Sequence, residues 1–174
     1  MTIAIILALG LLAIFGTITT SDKIGYNIDP SKLTIASATP DVPHVLGTRI
    51  QELENTKEYQ WVIAGGSITA GDLVKIKYGD TNAPFCVVQT AAATDQVFGV
   101  ACATATSGQY FWVQIYGKYT AANVATAITA GAMVSASSTA GRGAAYANTD
   151  TTMSKILALT AGSSNTADVF INRL

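Results

Sequence analysis

A seven-residue motif occurs twice in the chain with small differences, and this repetition limits the folds that the chain can adopt. Ile68–Val74 reads Ile-Thr-Ala-Gly-Asp-Leu-Val, and Ile128–Val134 reads Ile-Thr-Ala-Gly-Ala-Met-Val. A comparable polar interval follows each copy and leads to a short apolar segment, Val97–Ala101 in the first case and Ile156–Leu159 in the second. A turn that recurs with its downstream strand indicates a duplicated β unit. Two copies are too few for a solenoid, so we expect one domain with internal pseudo-symmetry.

The chain beyond residue 44 consists of short β-prone segments separated by Gly, Asn, Asp and Ser turns. This pattern predicts an all-β fold, a small barrel or sandwich with an internally repeated unit, over residues 45–174 in two related halves. The predicted strands are Val45–Leu53, Glu58–Ala64, Leu73–Tyr78, Phe85–Thr90, Gln96–Ala101, Gln109–Tyr116, Ile156–Leu159 and Ala167–Ile171.

The strongest strand signal is Gln109–Tyr116, which we expect to end at Gly117. Side chains alternate between the two faces of a strand, so its residues divide into two sets. The core face holds Phe111, Val113 and Ile115. The opposite face holds the candidate interface residues Tyr110, Trp112 and Tyr116, whose amphipathic rings are typical of protein–protein contacts. Packing of this face against a second layer of the same domain is the alternative.

The chain begins with an almost unbroken apolar run, Ile3–Ile18, which has no polar face and precedes the first charged residue, Asp22. We interpret residues 1–20 as an apolar arm or helix and the proline-marked residues 21–44 as an extended connector. The favoured interpretation packs the run on protein, which makes Ile5, Leu9, Leu12 and Phe15 candidate interface residues. A membrane anchor is the alternative, although the run falls just below the usual spanning length.

The sequence contains no constellation that would support catalysis. His44 is the only histidine, so a Ser-His-Asp arrangement is not expected. Asp72 follows a glycine at a turn, where we expect its carboxylate to accept hydrogen bonds from backbone amides. The loop Ser137–Gly143 lacks the lysine of a phosphate-binding loop and is expected to form an exposed tip. We therefore predict no catalytic residue, no cofactor and no metal ion.

Composition narrows the range of partners. Charged residues make up 12% of the chain, about half the usual share of roughly 25%. The net charge of −1 and the lack of any Lys/Arg run argue against a nucleic-acid partner. Cys86 and Cys102 lack metal or redox spacing and are predicted to be buried free thiols, with a disulfide as the alternative. Such a weakly charged chain fits an assembly protein better than a freely diffusing enzyme.

An ordered series of short segments resembles the capsid decoration (cement) proteins of tailed bacteriophages, especially those that form trimeric β-rich caps. The segments are Val45–Thr48, Lys57–Val62, Ile68–Val74, Val97–Ala101 and Gly108–Gly117. The resemblance covers residues 45–174 and implies a β-tulip-like homotrimer. It also implies a virion location on the outer capsid surface, at threefold or quasi-threefold points, with the major capsid protein as partner. The apolar run departs from the family pattern. A membrane-anchored surface or fibre subunit, or a minor coat protein, is the alternative function.

Overall fold

The computed structural model describes residues 33, 36–38, 45–52, 56–147 and 154–172. Strands dominate these residues, as the predicted all-β class requires. The four candidate residues of the apolar run, Ile5, Leu9, Leu12 and Phe15, lie outside the described residues. The strands are β1 (Arg49–Glu52), β2 (Lys57–Ala64), β3 (Leu73–Ile76), β4 (Cys86–Gln89), β5 (Gly99–Ala101), β6 (Tyr110–Asn123), β7 (Met133–Ala136), β8 (Gly143–Ala145), β9 (Ile156–Ala158) and β10 (Thr166–Ile171).

The ten strands form one sheet in the order β1-β2-β4-β3-β5-β6-β10-β9-β7-β8. An additional antiparallel pairing of β2 with β6 closes β2, β4, β3, β5 and β6 into a ring. On the other side, a parallel bridge between Val124 and Gly143 links the end of β6 to β8. We call the ring up to Tyr116 the first half, and the rest of β6 with β7–β10 the second half. The 14-residue strand β6 belongs to both.

The repeated motif has a structural counterpart in both halves. In the first half, β3 lies between β4 and β5, and in the second half β7 lies between β8 and β9. Gly71 and Gly131 occupy the two turns with φ of 88° and 83°, values that favour glycine. The Gly71 N–H donates to Ala101 O at 2.8 Å, and the Gly131 N–H donates to Ala158 O at 2.8 Å. The sequence repetition therefore corresponds to a repeated pattern of strand pairing.

Strand β6 runs past Gly117, which corrects the prediction that it ends there. Gly117 has φ of 93°, and a Cβ at this position would lie 2.8 Å from the Thr56 carbonyl oxygen. Glycine thus allows the backbone to turn and approach its neighbour closely without breaking the strand. The residues beyond it, up to Asn123, pair with β10 and carry the chain from the first half into the second.

The apolar core lies inside the two halves and continues between them. Phe111 and Val113 are fully buried in the first half, as predicted, together with inward residues of the other ring strands. A second cluster fills the second half around Val134 and Val169. Leu73, on the outer face of β3, belongs to this second cluster, so the core of the second half packs directly against the first half.

Candidate protein interface

Trp112, one of the three aromatic residues predicted to face a partner, is in fact buried within its own chain. It is 2% exposed and packs against Trp61 with ring centroids 4.8 Å apart. Leu33 and Ile50, which precede the ring strands in the chain, belong to the same cluster. The second layer that the sequence left open as an alternative is therefore real for Trp112. Sequence periodicity could not show that residues so far upstream would supply it.

Tyr110 and Tyr116, at the two ends of the same strand face, are half-buried. The backbone of Tyr110 pairs with that of Ser37 through two hydrogen bonds, of 2.7 and 2.8 Å, so the upstream segment also covers this end. Tyr116 instead contacts the second half, where the edge of one ring meets the other: its centroid lies 5.6 Å from that of Phe170. Tyr116 therefore lies beside a different surface.

That surface is a line of outward-facing apolar side chains across the second half. Leu157 of β9 is the Cα partner of both Met133 of β7 and Phe170 of β10. We call these three residues the apolar row. Met133 is 47% exposed, Leu157 is 40% exposed and Phe170 is half-buried. Leu159, also 40% exposed, follows directly after β9. Exposed apolar residues that cluster in this way, unlike scattered ones, mark interaction sites.

The matching line in the first half is covered. Val100 of β5 is the Cα partner of Leu73 and Gln114, just as Leu157 is the partner of Met133 and Phe170. Leu73, Val100 and Gln114 are nearly inaccessible, at 0%, 0% and 2% exposure. Leu73 and Val100 pack with the core of the second half. The same face of the repeated unit is thus buried once within the chain and exposed once at its end.

The two halves are fastened at Asp72, which is 3% exposed. Its Oδ2 accepts a hydrogen bond of 2.7 Å from the Thr69 N–H, which confirms the predicted turn contact. The sequence did not indicate the other two donors: the side-chain amides of Gln89 and Asn123 also donate to this carboxylate. Because Asn123 lies in the part of β6 that belongs to the second half, the carboxylate joins both halves.

The loop Ser137–Gly143 is exposed at Ser138, Thr139 and Ala140, as predicted, but its end, just before β8, belongs to this junction. Gly141 is buried; its N–H donates to Thr90 O and its carbonyl accepts from the Leu73 N–H, each at 2.8 Å. A Cβ at Gly141 would lie 2.5 Å from Cγ of Asp72. Only glycine therefore lets the turn approach the buried carboxylate so closely.

A cleft of about 550 Å³ lies where residues of both halves meet, between Arg49 and Lys155. The Lys155 ammonium donates to Phe98 O at 2.6 Å. Burial, with a smaller contribution from the nearby Arg49 charge, lowers the pKa of Lys155 to about 8. Glu58 and Asn172 also line the cleft. Within the described part of the chain, no group of three His, Cys, Asp or Glu residues is arranged to hold a metal ion.

Both cysteines are free and buried, as predicted. Burial raises the pKa of the Cys102 thiol to about 12 and also raises the pKa of Cys86. A protonated buried thiol is a poor nucleophile, so neither residue has the setting of a reactive cysteine.

Comparison with known proteins gives no assignment. No protein-family model matches the chain, and no curated protein matches it. Across residues 33, 36–38, 45–52, 56–147 and 154–172, no helix is long and apolar enough to cross a membrane. The candidate surface that remains from the geometry is the apolar row with Tyr116 beside it.

Proposed function

We propose that the protein is a structural virion protein that binds the outer surface of a phage head at threefold or quasi-threefold junctions. It stabilises the shell by bridging major capsid subunits, and it acts as a homotrimer without enzymatic activity. The observation that carries this proposal is the apolar row, an uncovered face on a weakly charged β domain. The ordered series of segments that resembles decoration proteins supports the particular kind of assembly.

To stabilise a shell in this way, the protein needs only to bury apolar surface when it binds. Complete burial of one large apolar side chain contributes about 1.5–3 kcal/mol. The three residues of the row, already partly covered, therefore supply on the order of 3 kcal/mol, a small gain beside the cost of association. One copy would then bind a shell weakly through this face alone. Three linked copies bind far more tightly, because the second and third contacts become intramolecular.

The N-terminal arm, residues 1–20, provides additional area for contact with the shell. The run that contains Ile5, Leu9, Leu12 and Phe15 is uncharged and is joined to the domain by a connector. This arrangement suits a segment that reaches neighbouring subunits.

The test compares three forms of the protein on purified heads of the virus that encodes it: the full chain, a chain without Met1–Thr20, and a Leu157→Lys chain. Tyr78→Lys is the matched control, because Tyr78 is 78% exposed and lies in the first half.

We expect the truncation and Leu157→Lys each to lower head occupancy and the temperature at which heads rupture. Tyr78→Lys should leave both unchanged. Equal occupancy and equal rupture temperature for all four proteins would refute the capsid-binding role of these surfaces.

A second candidate function is a membrane-anchored surface or fibre subunit, or a minor coat protein. The apolar run Ile3–Ile18 favours this candidate, because it is uncharged and its length falls just below the roughly 17–25 residues that span a bilayer. A full-length chain that stays in solution only with detergent would support this candidate. Copy number relative to the main shell protein would then separate a coat protein from a fibre subunit.

A further inference from the structure

We propose that, in the unassembled protein, the apolar run Ile3–Ile18 packs on the apolar row of its own chain. The run then covers the row, and this docking does not rest on the proposed function.

The first argument is that the row lies at an end of the repeated unit where a polar face would be expected. An antiparallel sheet with one face on the core ordinarily has polar residues on its other face, because that face meets water. Here the final unit carries Met133, Leu157 and Phe170 where the first carries Leu73, Val100 and Gln114. The face open to water is therefore at least as apolar as the face that is buried. This composition indicates that something covers it.

The second argument is chemical complementarity. Residues 1–21 contain no Asp, Glu, Lys or Arg. Beside the row, Lys118 and Asp168 form an ion pair of 2.9 Å, so these neighbouring charges satisfy each other. An apolar strip with a polar margin matches an uncharged apolar segment, since neither surface must bury an unpaired charge on contact.

The third argument is reach. The segment upstream of the domain is anchored where Leu33 packs in the cluster of Trp112. From Trp112 to Tyr116 along β6 is about 13 Å, and from β6 across β10 and β9 to β7 is a further ~14 Å. Residues 19–32, which join the run to Leu33, span at most ~50 Å when extended. The run can therefore reach the row of its own chain with length to spare.

The same connector explains why the occupant is the chain's own run and not that of a second copy. A segment joined to its site by a short linker meets that site at an effective concentration that reaches about the millimolar range. Free copies at micromolar concentration compete poorly with this. Docking in the same chain also hides two apolar surfaces that would otherwise promote aggregation.

The experiment is site-specific photo-crosslinking of the full-length protein in the absence of heads. The photoreactive amino acid p-benzoylphenylalanine replaces Leu157 in one variant, Met133 in a second and Tyr78 in a control. After irradiation, peptide mass spectrometry locates the cross-links, and a denaturing gel separates single-chain from double-chain products. Circular dichroism verifies that each variant retains its β structure, and the use of two row positions protects against the failure of one.

We expect cross-links from positions 157 and 133 to residues within 3–18, in products of single-chain mass, and none from position 78. Adding Phe170→Lys to the Leu157 variant should lower the yield to that of the Tyr78 control. Products of double-chain mass would assign the occupant to a second copy and overturn the proposal, as would no cross-link into residues 3–18. Since heads are absent, this result is independent of capsid binding.

Discussion

Replacement of Asp72 by alanine should weaken the fold strongly, because this carboxylate joins the two halves. It is 3% exposed and accepts hydrogen bonds from the Thr69 N–H and from the side chains of Gln89 and Asn123. Alanine removes all three acceptor contacts and leaves the donors in a partly buried site. The second half forms the same turn with Ala132, so the turn itself does not require a carboxylate.

The expected loss is about 3 kcal/mol in the free energy of unfolding. A hydrogen bond to a charged group contributes roughly 1.5–3 kcal/mol, and three such bonds would exceed this total. Removing the carboxylate also removes the cost of burying its charge, which offsets part of the loss. Against a typical urea m-value of about 2 kcal/mol/M, the midpoint should fall by about 1.5 M.

The assay is urea denaturation of the full-length chain, followed by tryptophan fluorescence and circular dichroism. Asp168→Ala is the control, because Asp168 forms a surface ion pair with Lys118 and should change stability by less than about 1 kcal/mol. Asn123→Ala combined with Asp72→Ala should cost clearly less than the sum of the two single changes. A loss below about 1 kcal/mol for Asp72→Ala, or strict additivity with Asn123→Ala, would refute the junction.

Three further predictions follow from burial. Trp112→Ala should cost about 3–5 kcal/mol in urea unfolding, as for other buried aromatic residues, and a loss near zero would place Trp112 on the surface. Burial lowers the pKa of Lys155 to about 8, below its unfolded value of 10.5; the unfolded chain therefore binds more protons between these values. Between pH 8 and 10.5 the free energy of unfolding should rise relative to Lys155→Met, and a pH-independent difference would contradict this. Native Cys86 and Cys102 should not react with Ellman's reagent at pH 8, whereas urea-unfolded protein should show two reactive thiols.

The sequence predicted the elements whose signals are local. Aromatic and β-branched residues identified β2, and alternating side chains identified the first part of β6. The repeated motif located the two turns at Gly71 and Gly131. The continuation of β6 beyond Gly117 was missed, because a glycine that ends a strand and a glycine that bends it look alike in sequence. Only the pairing with β10, far downstream, distinguishes the two cases.

The candidate interface was the harder part to predict. Aromatic alternation placed Tyr110, Trp112 and Tyr116 on one outward face. That face is covered by Leu33 and Ile50 at one end and borders the second half at the other. Met133 and Leu157 were not predicted to lie at an interface, although the sequence contains a signal for them. Both occupy the repeat positions of Leu73 and Val100, so comparing the two units residue by residue would have drawn attention to them.

The mass of the full-length protein in detergent-free solution tests the assembly role most directly. Light scattering coupled to size-exclusion chromatography, over a range of protein concentrations, gives this mass without reference to any partner. A structural subunit of the proposed kind should elute as a discrete species of three 18.0 kDa chains. A single chain at every concentration, or a protein that stays in solution only with detergent, would contradict the account.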